Sequence, residues 1–181
     1  MKSITTFGLA FITLLIVGCN TESSRDTVII IEEDSPPPRL DAFHLVDSYG
    51  VSSEESPNSD LVLNPYLYNG EFEVFWDVTS ERDYAVEIRL NDQPTYENSR
   101  LISTDYCGTA LECESTGLQF CNYYSDFSMS CDPPNTINPG QYVTFFEDWV
   151  YQLPQQLYML VDVCDTESNY CEYSVREILV E

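Results

Sequence analysis

Polar and apolar positions alternate along much of the chain beyond residue 40. Phe72, Val74, Trp76 and Val78 alternate with Glu71, Glu73, Phe75 and Asp77. Tyr84, Val86, Ile88 and Leu90 alternate in the same way with Ala85, Glu87, Arg89 and Asn91. A two-residue repeat is the mark of a strand with one face in a core. Asn69-Gly70, just upstream, is a tight-turn signal. Further strands are predicted over residues 42–46, 60–63, 100–105, 141–147, 157–164 and 171–180. No stretch carries the 3.6-residue period of a helix. Seven or so short strands between turn signals predict an all-β chain folded as an antiparallel sandwich.

The first residues break this pattern. Met1-Lys2 is followed by an apolar run of 11 residues, Phe7 to Val17, which closes as Ile16-Val17-Gly18-Cys19. A run of this length is too short to span a bilayer and reads as a secretory signal. Its last four residues resemble the lipobox of bacterial lipoproteins. That resemblance implies removal of residues 1–18 and attachment of acyl chains (palmitate) to Cys19. Two or three chains hold stably, since each buried CH₂ contributes roughly 0.8 kcal/mol and one chain alone is marginal. Asn20, where Asp would signal retention in the inner membrane, implies an outer-membrane lipoprotein on the periplasmic or surface face. Residues 19–38 then read as an acylated N-terminus and flexible tether, stiffened by Pro36-Pro37-Pro38. Val28-Ile-Ile-Ile31 within it fits an added edge strand or a segment near the membrane. The β-sandwich domain is expected over residues 39–181.

Charge narrows the partners. The chain has 7 Lys+Arg against 31 Asp+Glu, a net charge of −24, and loss of Lys2 with the signal leaves no lysine. Such a chain repels nucleic acid and anionic headgroups. With 13% aromatic residues it still has the means to bury one core, so disorder is not expected. The same acidity suggests a protein partner of opposite charge, or Ca²⁺ held by Asp47, Glu54, Glu55 and Asp60 or by Asp162, Asp165 and Glu167. No EF-hand spacing is present.

Besides Cys19, the cysteines are Cys107, Cys113, Cys121, Cys131, Cys164 and Cys171. An even number in an exported chain predicts disulfides. No C-x₂-C pair occurs, and with a single histidine a zinc site is not expected. Cys164 and Cys171 flank a turn-like stretch between two strands and are expected to face each other across a hairpin. The other four pair among themselves in one of three ways.

Trp76 followed by Tyr84-Ala-Val-Glu-Ile-Arg-Leu90 resembles the second and third strands of a fibronectin type III or immunoglobulin-like domain. Residues 157–164 returning as 171–180 resemble its last two strands. Leu153-Pro154 with Tyr158 is similar to the tyrosine corner before the sixth strand. Alternation, however, places Leu157, Met159, Val161 and Val163 on one face and Tyr158, Leu160, Asp162 and Cys164 on the other. The cysteine-rich stretch 107–139 falls between the two matching halves as a disulfide-rich insertion.

Catalysis finds little support. His44, on an apolar segment, is the lone histidine and reads as structural; no Gly-rich phosphate loop occurs. A carboxylate pair of the glycosidase kind singles out no two residues. No cofactor is implied. Recognition is the better reading: Phe120, Tyr123, Tyr124 and Phe127 crowd into the cysteine-held segment, where rings either present a binding loop or pack beneath it. The chain is therefore expected to be a non-enzymatic, lipid-anchored envelope protein acting as a binding or assembly module. Its acidity offers an alternative, an inhibitor or immunity-type lipoprotein that neutralises a cationic enzyme such as lysozyme.

Overall fold

The computed structural model describes residues 35–108, 116–132 and 143–181. The expectations for the signal, for Cys19 and for residues 20–34 of the tether lie outside these residues. Among the described residues run ten strands: β1 (Arg39–Val46), β2 (Val62–Leu63), β3 (Glu71–Thr79), β4 (Tyr84–Asn91), β5 (Arg100–Cys107), β6 (Thr116–Tyr124), β7 (Ser128–Asp132), β8 (Thr144–Phe145), β9 (Gln155–Asp165) and β10 (Cys171–Val180). They form two five-stranded sheets, in the orders β1-β3-β6-β7-β8 and β2-β10-β9-β4-β5. Pairing is antiparallel throughout, except where β2 runs parallel to β10. The chain is an all-β sandwich.

Alternation explains which faces meet. Phe72, Val74, Trp76 and Val78 of β3 are buried against Val86, Ile88 and Leu90 of β4 and Leu157, Met159, Val161 and Val163 of β9 in one core. β1, β3 and β6 in one sheet, with β4, β9 and β10 in the other, occupy the places of strands A, B, E and C, F, G of an immunoglobulin sandwich. The second neighbour of β6 differs. In the constant-type domain it is strand D, which precedes E in the chain; here it is β7, which follows.

The stretch expected as an insertion needs correcting in its described part. Residues 116–124 are β6, paired along their length with β3 from Glu71↔Asn122 to Asp77↔Thr116, so they belong to the sandwich itself. The core face of β6 presents Gly117, Gln119, Cys121 and Tyr123, whereas Leu118 and Phe120 point away from it. A strand with glycine and glutamine inward does not advertise itself by hydrophobicity. The tyrosine corner is also corrected. Tyr158 lies on the outer face of its sheet, opposite Asn91 and Glu177, and its hydroxyl accepts a hydrogen bond from Gln156 Nε2 at 2.7 Å.

Two disulfides join directly opposed strand positions. Cys121–Cys131 bridges β6 and β7, and Cys164–Cys171 bridges β9 and β10, with Cα separations of 4.0 and 4.1 Å. Cys107 is disulfide-bonded as well.

The connection from β7 to β9 is clasped to β5. Arg100 donates to both carboxylate oxygens of Asp148 at 2.7 and 2.6 Å and to Phe145 O at 2.5 Å, while its guanidinium lies 4.0 Å from the Trp149 ring centre. The hydrogen bond to Asp148 holds that carboxyl below its ordinary pKa. Along β1, side chains of β10 occupy backbone groups that a sheet edge leaves free. Leu40 N donates to Glu172 Oε2 at 3.1 Å, and Arg176 Nη2 donates to Phe43 O at 2.8 Å.

Candidate binding surface

The four aromatic residues expected as one binding loop are divided, Phe120, Tyr123 and Tyr124 along β6 and Phe127 in the turn to β7. Tyr123 is only 1% exposed and packs its ring against Phe146 at 5.8 Å, its hydroxyl donating to Glu181 O at 3.4 Å. Burial, with a smaller contribution from Tyr66, pushes its phenol up to about 12. Phe127 turns inward too, packing on the core and on Phe146. Phe120 and Tyr124 are exposed on the opposite face of the sheet. No common surface unites the set, because neighbouring residues of a strand point to opposite sides.

A different group of rings gathers at one end of the sandwich. The described chain enters at Ser35 and runs through β1, whose Arg39 pairs with Thr79 and whose Val46 pairs with Glu73. Eight strand residues carry it roughly 26 Å from the entry end to the other. There the connection between β1 and β2 presents Tyr49, and the connection between β2 and β3 presents Tyr66 and Tyr68. Tyr66 and Tyr68 are 83% and 79% exposed.

These loops are held from within. Asp47 Oδ1 accepts from the backbone N–H of Tyr49 (2.9 Å) and Val51 (2.8 Å), and its Oδ2 from that of Val62 (2.8 Å). Asn64 Oδ1 accepts from Tyr66 N at 2.9 Å, and its Nδ2 donates to Glu181 Oε2 at 3.0 Å and to Tyr49 Oη at 3.3 Å. The Tyr49 hydroxyl itself donates to Glu181 Oε2 at 3.1 Å. Tyr68, Asn69 and Gly70 then follow in left-handed conformation, with φ of 46°, 61° and 76°. Gly70 is required there, since a Cβ would overlap the carbonyl oxygen of Tyr123. Asn tolerates this conformation, but for Tyr68 it costs on the order of 1–3 kcal/mol, a kind of strain that collects at functional sites. The exposed ring is thus fixed by a backbone it does not itself favour.

Between Tyr49 and Tyr68 lies a pocket of about 260 Å³, also lined by Val46, Gly50, Glu71 and Glu73. Two phenol rings and two acids suit a cationic side chain, which ring faces and carboxylates both attract.

The rest of the charge makes such a partner fitting. Each of the five arginines among the described residues is already engaged within the molecule. Arg39 binds Asp41 at 2.6 Å, Arg82 binds Asp165 at 3.1 Å, and Arg89 stands 3.4 Å from Glu87. Arg100 holds Asp148, and Arg176 holds Phe43 O while lying over the Phe43 ring.

Two of the acids proposed for Ca²⁺ are committed elsewhere. Asp47 accepts the three backbone bonds given above. Asp165 accepts from Glu167 N at 2.7 Å and Ser168 N at 3.3 Å, which, with Arg82, keep its carboxyl below the ordinary range. Asp162 and Cys164 lie beside Cys171 with metal-like spacing, but both thiols are consumed in their disulfide. His44 stacks on Phe75 at 4.7 Å with its Nε2 3.6 Å from Glu54.

Sequence reasoning passed over Tyr49, Tyr66 and Tyr68 because they sit in connections without periodicity. The signal available was two tyrosines placed between Asn64-Pro65 and Asn69-Gly70, a turn-rich frame that buries neither. No family model, curated protein or solved structure matches the chain.

Proposed function

We propose that the protein is a non-enzymatic, lipid-anchored binding module of the bacterial cell envelope that engages a basic protein partner through the end bearing Tyr49, Tyr66 and Tyr68. The observation that carries this reading is the pair of rings at Tyr66 and Tyr68, nearly free of the fold yet held by a strained turn. Tyrosine offers large contact area at low entropic cost, and the acidic pocket beside it supplies charge complementarity.

The internal engagement of every described arginine favours one particular form of this reading, an inhibitor of a cationic enzyme such as lysozyme. Such an inhibitor suppresses muramidase activity stoichiometrically and loses the effect as salt rises.

Carbodiimide coupling tests the proposal, since it joins the protein's carboxylates to lysines of a partner, and the mature chain has no lysine of its own. Wild type is expected to capture a basic envelope protein, and the Tyr66→Ser/Tyr68→Ser variant to lose it at unchanged melting temperature. Equal capture by the variant overturns the assignment of this end. The intact mass of the native protein tests the anchor: it is expected to begin at an acylated Cys19.

A further inference from the structure

The two described disulfides differ in what surrounds them. Cys121–Cys131 has both residues sealed in the core. Cys164–Cys171 lies on the outer face of its sheet, where β9 turns into β10, with Cys171 exposed and Cys164 half-buried. Asp162, two residues before Cys164 on the same face, is 0% exposed. Its Oδ2 stands 3.3 Å from Cys164 Sγ, and its Oδ1 has no hydrogen-bond partner. A bridged sulfur has no hydrogen to give. The contact is therefore favourable when the carboxyl keeps its proton and donates it toward sulfur.

The neighbours favour that state. Glu87 of β4 and Tyr173 of β10 lie directly opposite Asp162 on either side. Arg89 is bound to Glu87 and covered by Tyr96 at 4.7 Å. Burial first, and Glu87 second, push the Asp162 carboxyl up to about 6, with Arg89 opposing.

We propose that Cys164–Cys171 is a thiol–disulfide exchange site that accepts dithiols, with Cys171 the sulfur attacked and Asp162 the proton donor to the departing Cys164. An incoming thiolate sulfur bonds to Cys171 Sγ as the Sγ–Sγ bond breaks. The electron pair of that bond leaves on Cys164 Sγ, which takes the Asp162 proton and becomes a thiol. The second thiolate of the dithiol attacks the mixed disulfide, closes to a disulfide and releases the Cys171 thiolate, which takes a proton from water. The protein gains two electrons and the dithiol loses two. Direction of attack follows access, since the exposed sulfur is reached first and the thiolate with the adjacent acid leaves more readily.

Dithiothreitol is the probe, added to the oxidised full chain without denaturant between pH 5 and 8, followed by acid quench, alkylation and peptide mapping. Cys164–Cys171 is expected to open at least about 10-fold faster than Cys121–Cys131. Divided by the thiolate fraction of the reagent, its rate is expected to rise as pH falls through about 6 in wild type and to stay flat in Asp162→Asn. A monothiol such as glutathione is expected to leave its adduct on Cys171 of the wild type. Equal opening rates for the two bridges, an adduct on Cys164, or matching pH profiles for wild type and variant each overturn the proposal.

Discussion

The indole of Trp76 lies against the Cα of Gly117, its register partner on β6, so closely that a Cβ there would overlap Cε2, Cζ2 and Nε1 of the ring. Gly117 is needed for the space it leaves. Trp76 is fully buried, and the β3–β6 ladder holds both backbones, so neither side yields easily. Gly117→Ala is expected to destabilise the fold by about 2–3 kcal/mol, the cost of overpacking a close-packed core. In Trp76→Phe the ring is smaller, and adding Gly117→Ala to it should cost less than in wild type. Urea denaturation of both single variants and the double variant checks this through the coupling between them.

Tyr123 and the rings at the far end separate folding from binding. Tyr123→Ala is expected to lose about 3–5 kcal/mol, as for other large aromatic residues removed from a core. Tyr66→Ser and Tyr68→Ser should stay within about 0.5 kcal/mol of wild type, since their side chains are nearly free of contacts. Calorimetric melting of the three variants measures the contrast, and a similar loss at all three positions would contradict the placement of the rings.

Asp162 makes stability depend on pH in an unusual direction. Its folded pKa, about 6, lies above the ordinary value of 3.8, so between these two pH values the folded chain holds more proton than the unfolded one. Stability contributed by the neutral acid is therefore lost as pH rises from about 4 to 6, by an amount on the order of 2–3 kcal/mol. Asp41, Asp148 and Asp165, whose pKa values are lowered, act oppositely, losing stability as pH falls below the unfolded carboxylate value. Asp162→Asn is expected to raise the melting temperature at pH 7.5 and to leave it nearly unchanged at about pH 3, below both the folded and the unfolded value. No difference between the two pH values would refute the buried-acid reading.

Salt should stabilise the protein. Net repulsion at −24 destabilises the compact state, and ions screen it. Salt also weakens the arginine pairs, but these are few against the excess of acids. A melting temperature that rises by a few degrees between about 20 and 500 mM NaCl is expected. A flat or falling response would show that the acids are spaced too widely to repel.

Legibility in the sequence followed the chemistry of each strand face. β3, β4 and β9 were plain because their inward residues are nearly all aliphatic or aromatic. β6 was hidden because Gly117, Gln119 and Cys121 face inward while Leu118 and Phe120 face solvent. Leu160 and Asp162 are both fully buried, although β9 turns them to its outer side. No local pattern announces that, since what surrounds them comes from neighbouring strands and, in Tyr96, from a distant connection.

Alternation along the chain was sufficient by itself to determine an all-β sandwich, and composition to determine its acidity, because both depend only on residue type and short spacing. Which way the rings and cysteines of 116–132 point, how Gly117 admits the Trp76 indole, and how Tyr49 comes to stand beside Tyr68 were decided by tertiary structure alone. Those relationships arise from strand register and loop closure, which join residues far apart in the chain and are settled by packing and shared hydrogen bonds.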